Sequence, residues 1–197
     1  MPEESVALIS QHLKATGNAE ASLLVETAMD CYFRGGEWEM ILNSDIIDDG
    51  QCVGLMLGVG DRGERIKTGR HQGVLLDAPA FQKIWRQRKR EKPASAKAIS
   101  LSADAVRAAW RDAKIATGLE WIGPMHSLRH AGASRDIAEG ARTLEQVRCR
   151  GRWQLLSSVQ RYTKTHVLAQ QRSRMTPEQL QRGRELLKTQ EARVIAP

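Results

Sequence analysis

Between residues 52 and 77 the chain stops repeating its apolar residues at helical spacing. It breaks instead into three short runs, CVGLMLGV, ERIKTG and HQGVLLD, parted by GDRG and TGRH. Runs of that length between glycine and aspartate turns specify a small antiparallel meander. The chain on either side reads as helix, so the fold class is α+β: mostly helical, with one three-stranded antiparallel sheet near the N-terminal third.

The helical segments carry their own boundary signals. EESVALISQHLKAT is amphipathic, with apolar residues at 6, 8, 9 and 13, and TGN breaks it. AEASLLVETAMDCYF is more apolar and ends near RGG. EWEMILNSDI reads as a short helix or turn leading into the turn DDGQ. After residue 78, PAFQKIWRQRKRE is a helix and PASAKAIS a connector. SADAVRAAWRDAKIATG follows, with Ser102 as N-cap and Gly118 at the C-terminal end. Next come HSLRHAGASRDIAEG, then TLEQVRCRG with a Thr143…Gln146 capping box, then QLLSSVQRYTK. TPEQLQRGRELLKTQEAR is the last helix, with Thr176 as N-cap and Pro177 in the first turn. Trp85, Trp110 and Trp121 fall on patterns that place them in the core.

Charge narrows the partner. Lys and Arg total 30 against 23 Asp and Glu, a formal charge of +7, with a pI of about 9.7. Such a balance suits a polyanion, through release of condensed counterions. The cations recur in KIWRQRKREK, RCRGRW and QRYTKTH; the first reads as a solvated face, and the other two flank candidate chemistry. Cys31, Cys52 and Cys149 match neither a disulfide framework nor a zinc site, which predicts reduced, mostly buried thiols in a cytosolic or nuclear setting. No stretch approaches the roughly 20 apolar residues of a membrane span, and the N-terminus lacks a signal-peptide pattern.

Two features carry the chemistry. His126 and Arg129 form H-x-x-R, a spacing that sets imidazole and guanidinium on one helix face where both can reach one anion. Taken alone this is more often a surface pair. Tyr162 lies nine residues after Trp153, among arginines. A free phenol has a pKa of about 10, so only roughly 0.1% is ionised at neutral pH. It becomes a nucleophile only where cations stabilise the phenolate and a base takes the proton. His126 could be that base, although an isolated tyrosine is more commonly a half-buried aromatic.

The combination is more specific than its parts. Arg34, Lys67, His126-x-x-Arg129, Trp153 and Tyr162, set in FRGGEWEMILNSDI, IKTGRHQGVLL, HSLRHAGAS and GRWQLLSSVQRYTK, resemble the tyrosine recombinase (phage integrase) family. The family's first motif is matched by Arg34, Glu37 and Asp45, its hairpin lysine by Lys67-Thr68-Gly69, and its second motif by His126, Arg129 and His130. The likeness runs from about residue 20 to 170.

The resemblance implies strand cleavage and rejoining through a 3′-phosphotyrosyl link. Tyr162 would attack a backbone phosphate, with Arg34 and Arg129 on the non-bridging oxygens. Lys67 would protonate the leaving 5′-oxygen. His126 would serve as base or phosphate donor, and Trp153 would donate its indole N–H. Glu37 and His130 are supporting residues, and Arg70, Arg152, Arg161 and Lys164 are expected on the DNA backbone. No metal or cofactor is implied. The implied partner is double-stranded DNA, with four protomers on paired sites and a monomer without DNA, in the cytoplasm on the nucleoid or in a nucleus.

Residues 1–175 would form the catalytic domain. Residues 176–197 would form a terminal helix that docks on a neighbouring protomer or packs in cis. Relatives usually carry an N-terminal DNA-binding domain, so this chain is expected to be either the catalytic half of a longer protein or a short natural form. A second departure is RGRW, where many relatives have an apolar residue, glycine and histidine. A type IB topoisomerase shares the chemistry, and a DNA-binding module that kept the fold without the activity is the other alternative.

Overall fold

The computed structural model of the protein describes residues 1–58, 72–163 and 165–195. Its helices are α1 (Glu3–Ala15), α2 (Ala19–Asp30), α3 (Glu37–Met40), α4 (Pro79–Glu91), α5 (Ala103–Ala116), α6 (Ser127–Ala138), α7 (Leu144–Arg150), α8 (Ser157–Gln160), α9 (Thr165–Arg172) and α10 (Pro177–Ile195). Strands β1 (Ile46–Asp48), β2 (Val53–Leu57) and β3 (Gln72–Leu75) form one antiparallel sheet in the order β1-β2-β3. The fold class is the expected one, α+β and mostly helical. Among the described residues, no helix is long and apolar enough to cross a membrane.

Helix α2 is the axis of the domain. Leu23, Leu24, Val25, Ala28 and Met29 are all buried, because α1 packs along one side and α6 along another. Gly132 permits the α6 approach: a Cβ there would stand 2.7 Å from the Tyr32 ring and closer still to the Met29 carbonyl. Helix α10 returns over α1 of the same chain. Gly183 makes that close approach, since a Cβ would meet Glu4 Cβ at 2.6 Å and Glu4 O at 2.8 Å. The buried Glu4 carboxylate then accepts from Arg172 Nε at 3.1 Å.

The sheet turns one face inward, where Ile46, Leu55 and Val74 lie in register. Its first strand differs from the expectation. Residues 46–48, read as the end of a helix or turn, pair with 53–55, after a 3-10 turn at Asn43–Asp45 in which Asp45 Oδ2 accepts from Leu42 N at 2.8 Å. The run ERIKTG, expected as a strand, lies outside the described residues.

The connector PASAKAIS is built into the fold rather than laid over it. Asn43 N donates to Ala96 O, Ala98 N donates to Ile41 O, and Ala98 and Ile99 are buried. Helix α4 is less of a solvated face than its charge suggests. Trp85 is fully buried with its Nε1 on Thr27 Oγ1 at 3.1 Å, while Arg86 pairs with Asp48 and Arg88 with Glu20. Trp110 is also buried, and Trp121 is partly buried with Arg174 stacked on it at 4.4 Å.

The capping signals hold. Ala105 N donates to Ser102 Oγ, and reciprocal bonds join Thr143 with Gln146 and Thr176 with Gln179. Of the thiols, only Cys31 is buried; Cys52 and Cys149 are exposed, against the expectation of mostly buried cysteines. A small second cluster of Tyr32, Ala133, Val147, Val159 and Tyr162 sits apart from the main core and forms the floor of the site described next.

Candidate active site

The site is organised by the turn that ends α7. Arg152 N donates to Cys149 O and Trp153 N to Arg148 O, both at 3.0 Å, which is the Schellman closure of a helix. That closure needs a left-handed residue, usually glycine, yet Arg152 takes it with φ 58°. Such a conformation costs a non-glycine residue about 1–2 kcal/mol.

The glycine stands one position earlier, at an ordinary φ of −80°. It is required there for another reason: Trp153 folds back over it. A Cβ on Gly151 would lie 2.6 Å from Trp153 Cη2 and nearer still to Cζ3 and Cε3. The turn thereby aims two successive carbonyls at two guanidinium groups. Gly151 O accepts from Arg129 Nη2, and Arg152 O accepts from Arg34 Nη2.

Arg129 comes from α6 and is buried. Its Nη1 donates to Tyr32 O at 2.5 Å, and its guanidinium lies 4.0 Å above the Trp153 ring. Burial first, then the neighbouring Arg152 and Arg34, push its pKa down to about 10, so it remains a cation at neutral pH.

Arg34 sits between α2 and α3. Its backbone N donates to Glu37 Oε2 at 2.7 Å, and its Nη1 reaches Gln72 Oε1 at 3.1 Å, at the start of β3. Glu37 also accepts from Arg152 Nη2 at 2.6 Å. The Arg152 side chain is therefore turned inward, where Cys31 O, Tyr32 O and Arg150 O also accept from it. Its placement differs from the backbone-contact role read from sequence, and its pKa is lowered by burial against the pull of Glu37.

Tyr162 lies on a 3-10 turn, Arg161–Thr163, directly after α8, and is 6% exposed. Its ring packs on Trp153 with centroids 5.3 Å apart and stacks on His130 at 5.5 Å. The hydroxyl is 2.5 Å from His130 Nδ1. Burial raises the phenol above its ordinary pKa, opposed by Arg161 and Arg129. His130 is lowered, by burial first and then by His126, Arg129, Arg161 and the chain's N-terminal amine. His126 stands at the N-terminal end of α6, exposed, with its ring edge-on to His130 at 6.0 Å.

Arg129, Trp153, Tyr162 and His130 thus form one connected set of contacts, with His126 at its outer edge; Arg34 joins it through the Arg152 carbonyl, with Glu37 bracing the arginine side. Arg161 is exposed, and its Nε donates to Ser158 O at 3.0 Å. Lys67, Arg70 and Lys164 lie outside the described residues.

Sequence reasoning passed over Tyr32, Asp136 and Gln72. Tyr32 is fully buried at φ 50°, a left-handed setting that turns its carbonyl toward both Arg129 and Arg152. Its hydroxyl donates to the buried Asp136, which also accepts from Arg142. Burial favours neutral Asp136, but Arg135, the Tyr32 hydroxyl and Arg142 outweigh it and hold its pKa below the usual value. The one available signal was scarcity: Tyr32 is the only other tyrosine in the chain.

No protein-family profile matches the chain, and no curated protein matches it in sequence. Among solved structures it is similar to the XerH site-specific recombinase bound to palindromic difH substrate, in a post-cleavage complex. The TM-score is 0.61 at 18% identity, over 87% of this chain. At that identity the likeness is one of fold. The chain spans 50% of the recombinase's length.

Proposed function

We propose that this chain is the catalytic part of a site-specific tyrosine recombinase, cutting and rejoining DNA through a 3′-phosphotyrosyl intermediate. The observation that carries the reading is the placement of Tyr162: its hydroxyl meets a neutral-leaning imidazole while its ring shares Trp153 with the buried Arg129. The recombinase fold and the +7 charge support it.

In this reading Tyr162 attacks a phosphate. Arg34 and Arg129, already aimed by backbone carbonyls, take the non-bridging oxygens and stabilise the charge that builds up on phosphorus. Removing one such preorganised donor typically costs about 10²–10³ in rate. Lys67 gives its proton to the departing 5′-oxygen. The exposed His126 and the Trp153 indole N–H bind the phosphate, and Glu37 holds Arg34 and Arg152 in place. Double-stranded DNA is the partner, with four protomers assembling on two duplexes.

Covalent trapping tests this. A pool of duplexes nicked just 3′ of each potential cut lets a short fragment leave and blocks religation. Wild type should form a denaturant-resistant protein–DNA adduct mapping to Tyr162, and Tyr162→Phe should form none. A wild-type chain that binds duplex but never traps, alone or fused to a DNA-binding domain, leaves only a binding module. Plasmid relaxation without strand exchange would assign the chemistry to a topoisomerase.

A further inference from the structure

The H-x-x-R spacing draws attention to His126 as the base, but the structure separates the two histidines. His126 is exposed at the N-terminal end of α6, one turn before His130, with the two rings 6.0 Å apart. His130 is in hydrogen-bond contact with it, Nδ1 to Oη at 2.5 Å, with the two rings stacked. Resting on the function proposed above, we infer that His130, not His126, takes the phenolic proton of Tyr162 at cleavage and returns it at rejoining.

The geometry defines the step. The phenol is buried and its pKa is raised, so it does not ionise unaided. For the hydroxyl to donate, Nδ1 must carry a lone pair, which makes His130 the neutral Nε2–H tautomer. At cleavage the Oη–H bond breaks and its proton forms an imidazolium at Nδ1. The Oη electron pair forms the bond to phosphorus, and the P–O5′ bond breaks. The departing oxygen takes a proton from the acid, the role assigned above to Lys67. Rejoining reverses each transfer.

The groups facing His130 suit a reversible base. His126, Arg129 and Arg161 are all cationic or able to become so. Burial first, and then these charges, keep the ring neutral before cleavage and make its imidazolium ready to give the proton back. A positioned base contributes about 10²–10⁴-fold.

A cavity of about 200 Å³ borders both rings, lined by Ser134, Arg161 and Gln171 among others. It gives small molecules a route to the space that a shortened residue 130 would leave. His130→Ala should therefore lose about 10²–10⁴-fold in adduct formation on the nicked pool. Added imidazole should recover part of that loss, and so should a fluorinated, more acidic tyrosine at 162. The acidic limb of the wild-type rate profile, set by neutral His130, should disappear. His126→Ala should respond to neither rescue.

The inference is overturned if His130→Ala stays within tenfold of wild type, or if neither rescue restores it. Rescue of His126→Ala in its place would overturn it too. Nitrogen-15 NMR of the DNA-free chain decides independently of activity. His130 should be the Nε2–H tautomer at neutral pH, with an Nδ1 resonance that shifts in Tyr162→Phe; an Nδ1–H tautomer sinks the inference. Wild type that never traps on DNA would count against the proposed function, and the NMR result would still decide the pairing.

Discussion

Replacing Gly151 with alanine puts a methyl carbon inside the Trp153 ring's own space, 2.6 Å from Cη2 and closer to two other ring carbons. The backbone is not the obstacle, because φ is −80° there. The ring has to withdraw by about 1 Å or more to restore an ordinary carbon–carbon separation of roughly 3.5–4 Å. Withdrawal gives up the Arg129 guanidinium, now 4.0 Å above the ring, and loosens the contact with Tyr162. Overpacking of this kind costs about 1–3 kcal/mol, and a desolvated cation–π contact adds about 1–2 kcal/mol. The sum is about 2–5 kcal/mol. For a chain of this size, about 2–4 °C of melting temperature accompanies each kcal/mol, so Gly151→Ala should melt roughly 4–20 °C lower. Thermal unfolding followed by tryptophan fluorescence reads this directly. A double-mutant cycle isolates the cause: with Trp153→Ala in the background, the same alanine should cost almost nothing. An equal cost in both backgrounds would refute the account of why residue 151 is glycine.

Three further changes follow from the same network. Arg152→Gly should release about 1–2 kcal/mol of left-handed strain yet leave Glu37 without its closest cation at about 3–5 kcal/mol, for a net loss of about 1–4 kcal/mol in urea unfolding; Arg152→Ala should be worse than glycine, and the reverse order would count against strain at 152. Asp136 has a folded pKa below its unfolded value of about 3.9, so its contribution is present above that pH and lost as pH falls through the lowered value. Asp136→Asn should flatten the acid side of the stability curve measured by urea titration below about pH 5 and cost about 3–5 kcal/mol at neutrality. Gly183→Ala should lift α10 from Glu4 at about 1–3 kcal/mol, with no change in the His130 and Tyr162 resonances; a shift there would mean that α10 and the site are coupled.

What could be read from the sequence follows from how local each feature is. Ser102, the Thr143–Gln146 box and Thr176 act within one helical turn, and all were legible. Strand β1 was not, because three residues carry no period of their own and Ile46 is a strand only by pairing with Leu55 across a turn. Helix α9, over 165–172, likewise lacks an apolar stripe strong enough to announce itself.

Within the site, residue types at fixed spacing pointed to Arg34, Arg129, Trp153 and Tyr162, which the fold does bring together. Spacing cannot give direction, however. It counted Arg152 with the outward cations, whereas the left-handed turn drives that side chain into Glu37. Nor could it say which of His126 and His130 the 3-10 turn at Tyr162 approaches. Tyr32 escaped because its part is played by a backbone carbonyl.

The seating of α10 on α1 has a consequence for assembly. With Gly183 against Glu4, and Arg172 closing on the same carboxylate, the last helix is already a bound ligand of its own chain. A tether holds such a ligand at an effective concentration of the order of millimolar. A second copy that is to receive this helix must outcompete that local supply, and each chain entering such an exchange must surrender its own contact for the one it gains. Swapping would therefore be nearly neutral in contacts, governed by protein concentration and by whatever brings two chains side by side.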